Sequence, residues 1–315
     1  MKRISIKKWQ VALFFIGLCL CLCQAARGGP SVYTDKVETT PDLGQRDGTG
    51  YLPFEGQGYC APVAVSNGLM WLYENGFPGL VREAGTRELT HLRLASLLGG
   101  ARYMHTDPKK GTGPSHVMAG LFRYLTDQGY ERAVVQYQGW RSHPKFSHTG
   151  VVYPDLAWIK EGLVGGGAVW LNIGWYNYDG KSATYTRVGG HWVTVVGYGA
   201  DREGNQDPET LAILDPALQK TVRGSMPVYV KARKIETAAS DREPMISVGP
   251  SIGYMDKMAG LENETVTEDQ SAVMKATGFL KLTGELKTAN RADFALVDGA
   301  VVLRMDKDRR RRARR

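Results

Sequence analysis

The hydrophobic period of this chain changes once, and that change limits the fold more than any other feature. Up to about residue 163, apolar residues recur at helical spacing; after Gly165-Gly166-Gly167 they fall in short aromatic and β-branched runs. The helical half predicts four helices. The first runs from Cys60 to Asn75, with Ala61, Val63, Ala64, Leu69, Met70, Leu72 and Tyr73 in register, Pro62 in its first turn and Asn75-Gly76 as its stop. The others cover Arg87–Leu98, Pro114–Gln128 and Asp155–Leu163. The later half predicts strands at Ala168–Trp175, Trp192–Tyr198, Leu211–Leu214 and Val228–Ile235. Helices first and strands later describe an α+β domain, helices packed on one side of an antiparallel sheet. Beyond residue 240 the pattern weakens; Ala272–Leu282 and Ala295–Met305 read as a helix and a strand that either complete the main domain or form a small C-terminal one. The expected organisation is a leader (1–25), an extended linker (26–50), the main domain (51–240), a C-terminal extension or small subdomain (241–305) and a basic tail (306–315).

The leader rests on residue types. Lys2, Arg3, Lys7 and Lys8 precede an apolar run from Val11 to about Cys23, followed by Ala25 and Ala26. That order is the pattern of a secretory signal peptide. The run is shorter than the roughly 20 residues that span a bilayer comfortably. An uncleaved anchor and a lipid-modified cysteine are the alternatives. The expectation is export to a periplasmic or extracellular compartment, with no stable membrane span after cleavage. The formal net charge of +8 misleads. Four positive charges belong to the leader and six to the arginines of the last seven residues, so the body between them is close to neutral. This argues against a nucleic acid partner for the folded domain. The arginine tail is read as solvated and disordered, available to contact an acidic surface.

Three of the four cysteines lie in the leader, leaving Cys60 as the one thiol of the body. An exported protein usually pairs its cysteines, so a lone thiol is either a small buried hydrophobe or a nucleophile. Cys60 falls at the predicted start of a helix, where negative charge is favoured, and the thiolate is the reactive form of cysteine. Gly56 and Gly58 precede it and would allow close backbone approach. His191, in GGHWVTVVGYG, opens a predicted strand behind two glycines, whereas His91 and His116 fall on predicted helices and read as structural or surface residues. Asp215 ends the strand Leu211–Leu214, where a carboxylate needs a partner. A turn role for Asp215, and other acids such as Asp179 in its place, stay open. The aromatic residues Trp170, Trp175, Tyr176, Tyr178 and Tyr185 line either a groove or the core.

The segments GQGYCAPVAVSNGLMWL, GGHWVTVVGYG and LAILDPA together resemble the nucleophile helix, histidine strand and Asp-Pro strand end of papain-like (clan CA) cysteine peptidases. The branch they are most similar to is the bacterial one related to double-glycine-leader, bacteriocin-processing peptidases. A histidine about 130–150 residues after the cysteine fits that arrangement. The resemblance spans roughly residues 50–235. It implies a papain-like fold and a thiol hydrolase acting on a peptide or protein, with Cys60 as nucleophile, His191 as base and Asp215 as the orienting acid. It also implies a glutamine donor to the oxyanion about six residues before the cysteine. That position holds Phe54, so Gln57, three before, is the candidate; Ala61 stands where the family has glycine. Gly58, Gly190 and Trp192 are the candidate substrate contacts. No metal or cofactor is implied: no Cys/His pair has zinc spacing, and the glycine run lacks the lysine of a phosphate-binding loop. A catalytically silent papain-like binding domain and a transglutaminase-like acyltransferase are the alternatives. N-terminal sequencing of protein recovered from the export compartment is expected to begin at Ala26.

Overall fold

A computed structural model of the protein describes residues 29–46, 48–218, 226–236, 242–248 and 272–306. The chain divides into two units, Met1–Ser31 and Val32–Arg315. Of the first, only residues 29–31 are described, so the expected signal peptide lies outside the described residues, as do 307–315 of the basic tail. Among the described residues, no helix is long and apolar enough to cross a membrane.

Among the described residues, four α-helices form where the apolar spacing places them. Helix α1 (Cys60–Glu74) buries every residue from Ala61 to Leu72, so it is a core helix rather than an amphipathic surface one. The Asn75 side chain ends it by donating Nδ2 to the Trp71 carbonyl at 2.8 Å. Helix α2 (Arg87–Gly99) is capped by Thr86, whose hydroxyl accepts from the Leu89 N–H. Helix α3 (Pro114–Asp127) starts at a proline that has no N–H to leave unsatisfied. Helix α4 (Leu156–Leu163) is capped by Asp155, which accepts from the Ala157 N–H.

Nine strands form one sheet: β1 (Val134–Gly139), β2 (Ala168–Asp179), β3 (Thr184–Ala200), β4 (Gln206–Leu214), β5 (Val228–Lys234), β6 (Met245–Val248), β7 (Ala272–Lys275), β8 (Leu280–Gly284) and β9 (Phe294–Arg304). Strand β2 pairs with both β3 and β9, and the path β3-β4-β5-β8-β9 returns to it, so six antiparallel strands close into a barrel. Strand β1 flanks β9; β6 runs parallel to β3 and carries β7. Alternation along β2 and β3 separates two cores. Val169, Leu171, Ile173, Val193 and Val195 belong to one, with Leu211, Ile213, Val297 and Val302 of β4 and β9. Trp170 and Trp192 belong to the other, with Ala64, Leu69 and Leu72 of α1.

Helix α1 is fixed to the sheet through a single carbonyl. Trp170 Nε1 of β2 donates to the Ala64 oxygen at 2.9 Å, and Thr194 Oγ1 of β3 donates to the same oxygen at 2.6 Å. Gly68, one turn on, makes room for the indole: a Cβ there would meet Trp170 Cζ2 at 2.8 Å. The lead-in to the domain also packs rather than acting as an extended linker. Val37, Thr40 and Leu43 are buried, and Tyr33 forms a β-bridge with Tyr198. Buried Lys36 donates to the Leu163 carbonyl at 2.9 Å and to that of Gly167, a cation set at the end of α4 where the helix dipole favours one.

One expectation is corrected in the C-terminal part. Ala272–Leu282 is not a helix but β7, a turn and β8, because its alternating residues serve sheet pairing. Of the two readings open for the segments beyond residue 240, β8 and β9 follow the first, completing the barrel that β2–β5 begin. Strand β9 runs one residue ahead of its expected bounds, while β3 extends well ahead of the expected Trp192 start. Gly68→Val is expected to destabilise the protein by about 2 kcal/mol or more, because the added atoms overpack the indole contact. Urea denaturation against the unmodified protein checks this.

Candidate functional site

Cys60 is the first residue of α1, half-buried, with a free thiol. The chain reaches it through an unusual turn. Phe54 (φ 54°), Glu55 (φ 52°) and Gly56 (φ 74°) are all left-handed, and Gly58 follows at φ 75°. Two successive non-glycine residues in this region store roughly 1–2 kcal/mol each. The turn is held by backbone packing. A Cβ on Gly56 would overlap the Gln45 carbonyl oxygen at 1.5 Å, and one on Gly58 would meet the Asp107 carbonyl oxygen at 2.6 Å. The space beside Gly58, expected to admit a substrate, is therefore filled by the Asp107–Pro108 backbone.

His191 sits inside β3, opposite Ile173 of β2, and is buried. It continues the alternate row of Val193 and Val195 to the end of the apolar stretch. Its Nε2 donates to Asp215 Oδ1 at 2.7 Å. Asp215 follows the last residue of β4, is 4% exposed, and also accepts the Ala217 N–H at 2.8 Å. The Trp175 ring stacks on the imidazole, centroids 5.8 Å apart and planes 20° from parallel. Burial by itself pushes the imidazole pKa down. The hydrogen bond to Asp215, the nearby Cys60 side chain and the Asp215 charge outweigh it and lift the value to about 10. The thiol, the ring and the carboxylate, far apart in sequence, thus act on one another directly.

The other predicted positions divide. Gln57 is exposed, and its side chain makes no hydrogen bond among the described residues; only its backbone N–H is engaged, to the Phe54 carbonyl. Gln45 is the glutamine built into this region. Its N–H donates to the Pro216 carbonyl at 2.7 Å, beside Asp215, and its side-chain Nε2 donates to the Gly56 carbonyl at 3.2 Å. No sequence signal marked it, because it lies in the lead-in, far from the cysteine segment. Trp192 faces the helix-side core, 2% exposed, and donates Nε1 to the Thr112 carbonyl at 3.0 Å, so it is not turned toward a substrate. Gly190 is exposed. Asp179 serves a turn instead, accepting from Ser182 Oγ and the Lys181 N–H.

Of the five aromatic residues, Trp170, Trp175, Tyr176 and Tyr185 are buried, and Tyr178 alone is exposed. Trp175 has a place at the site through its stack on His191. His91 is buried against α1, within 3.0 Å of Ser66 Oγ, and burial pushes its pKa down to about 3. It is a neutral core residue. Comparison with known proteins adds no family: no protein-family model matches the chain, and none of the curated proteins matches it.

The raised pKa of His191 sets a pH window. A ring held above its ordinary value of 6.5 contributes stability that is complete below about pH 6.5 and is lost as pH rises through about 10. Ring-nitrogen NMR is expected to show His191 protonated from pH 5 to 8.5, and Asp215→Ala to bring its titration down toward that range.

Proposed function

We propose that the protein is a cysteine hydrolase of papain-like architecture, exported, and active on an amide or peptide bond through Cys60, His191 and Asp215. The observation that carries this reading is the buried His191–Asp215 hydrogen bond, with the Cys60 side chain at the start of a buried helix near enough to act on the ring's ionisation. A nucleophile, a proton carrier within reach of it, and a third group that orients the carrier are what acyl transfer through a cysteine requires. The packing of a cysteine-bearing helix on an antiparallel sheet that supplies the histidine and the acid supports the kinship with papain-like peptidases, and with their double-glycine-leader branch. Export rests on the leader, whose residues lie outside those described.

The charge state of His191 refines the mechanism. At neutral pH the ring already carries a proton, so it enters the reaction as an imidazolium beside Cys60, whose reactive form in any such reaction is the thiolate. The thiolate attacks the carbonyl carbon, and negative charge develops on the carbonyl oxygen. The N–H of Cys60, in the first turn of α1, has no intrahelical acceptor and is available to that oxygen, with the helix N-terminus behind it. His191 then gives its proton to the leaving amine, and the C–N bond breaks to leave a thioester on Cys60. Water, losing a proton to the now neutral ring, adds to the thioester carbonyl and releases the acid and the thiol. Asp215 holds the ring by Nε2 throughout, and Trp175 shields its face. With Gln57 exposed, the second oxyanion donor is not that side chain; Gln45 is the glutamine fixed near the turn.

A thiol-reactive activity probe tests this. Labelling is expected at Cys60, absent in Cys60→Ala and slowed about 10²–10⁴-fold in His191→Ala, the range of a lost acid–base group. A correctly folded protein that resists the probe would instead be a binding domain on the same scaffold, a reading that the exposed Gln57 favours.

A further inference from the structure

A second cluster of charge lies beside the histidine and plays no part in the chemistry above. Arg187 of β3 donates Nε to Asp298 Oδ2 of β9 at 2.8 Å. Asp298 has no exposed surface; its Oδ1 accepts from Tyr176 Oη at 2.6 Å and from Trp140 Nε1 at 3.3 Å. That carboxylate is fully engaged by three side chains. Arg141 belongs to the same cluster, close enough for the charges of Arg187, Asp298 and the tyrosines Tyr137 and Tyr176 to act on it. Burial first, and the neighbouring Arg187 second, push its guanidinium pKa down. Its Nε is shut off from solvent and has no hydrogen-bond partner among the described residues. Among the described residues two guanidinium groups therefore share one carboxylate, and a half-buried cation in surplus is costly unless an anion meets it.

The position of the cluster is set by two glycines. Gly174 and Gly190 pair in register on β2 and β3, and Gly190 immediately precedes His191. A Cβ on Gly190 would meet Arg187 Nη2 at 2.3 Å, and one on Gly174 would meet the two Asp298 oxygens at 2.6 and 2.7 Å. The ion pair thus lies across the glycine pair, on the face of β3 that carries Trp192 and packs against α1. The segment 112–115 ties Arg141 to the same place. Trp192, next to His191, donates to the Thr112 carbonyl, and Ser115 Oγ donates to the carbonyl of Ser142, next to Arg141. Gly190 is exposed, and the Arg187 side chain keeps 14% of its surface, so the cluster is open to solvent on that side.

We propose that Arg141 and Arg187 form a carboxylate-binding subsite beside Cys60 and His191, so that the hydrolase takes substrates carrying a free carboxylate close to the scissile bond. The proposal rests on the hydrolase reading. A planar guanidinium with unused donors matches a carboxylate in a two-bond fork, and an anion there would meet the surplus positive charge. In the absence of a substrate, the Asp298 carboxylate is the counter-charge for the pair, and it serves Arg187 directly.

Two matched alkylating probes test it: bromoacetylglycine, which carries a carboxylate, and bromoacetylglycinamide, which carries none. The expected result is that the acid labels Cys60 with saturation and at least about tenfold faster than the amide, and that Arg141→Gln collapses the ratio of the two rates toward one. On the unmodified protein, N-acetylglycine is expected to protect Cys60 from the amide probe at concentrations where N-acetylglycinamide does not. This arm needs no variant to fold. Fast labelling by both probes at equal rates, or equal protection by both glycine derivatives, would overturn the subsite and leave the hydrolase reading standing. Labelling by both no faster than a free thiol would overturn the hydrolase reading and the subsite with it.

Discussion

The Ala64 carbonyl carries the geometry of this protein. It lies one turn from Cys60 and receives hydrogen bonds from Trp170 and Thr194, which come from two adjacent strands of the barrel. These bonds are buried, so breaking either strands a polar group away from water, at a cost of about 1–3 kcal/mol. They set how far along its axis the helix sits against the sheet, and so where its first residue falls. Gly68 admits the indole that makes one of the two bonds. Thr194 stands three residues from His191 on the same strand. The distance between thiol and imidazole is thus fixed by a contact that neither group makes itself.

The site is polar but enclosed, and its neighbours resolve the conflict. A buried imidazole with no partners would lose its charge. Here the carboxylate of Asp215 and the Cys60 sulfur reverse that trend. The contrast with His91 is instructive, since the two rings are buried to a similar degree. His91 has a serine hydroxyl beside it and the charge of Arg87 opposing its own, so burial prevails. The difference lies in whether a negative group faces the ring. Asp298 treats Arg187 in the same way across β3 and β9, while Arg141 lacks a carboxylate of its own among the described residues. Among the described residues, charge balance is complete at His191 and Asp215 and incomplete at Arg141 and Arg187.

Glycine placement follows the same logic of close approach. Gly56 and Gly58 allow backbone to pass over backbone ahead of Cys60, at Gln45 and at Asp107. Gly174 and Gly190 leave room for charged side chains to lie across a sheet. In each case the missing side chain is replaced by protein. The strained turn at Phe54 and Glu55 persists because these contacts on either side fix it, in keeping with the tendency of such backbone to gather near functional sites.

The sequence by itself determined the four helices, the switch to strands, and three polar residues whose settings asked for partners. Those features are local: apolar period, a proline at the first turn and a glycine run depend on neighbours a few residues away. The C-terminal strands were not legible, because β7 and β8 are short and separated by a turn that a helical reading spans. The packed lead-in was also hidden, since Lys36 and Gln45 find their partners at Leu163 and Gly56 only in three dimensions. The three-dimensional packing alone sets Trp192 toward the core, Gln57 toward solvent, and Arg187 against Asp298 across a glycine pair. Side-chain direction and long-range charge pairing depend on strand register and barrel closure, and no window of sequence contains both partners.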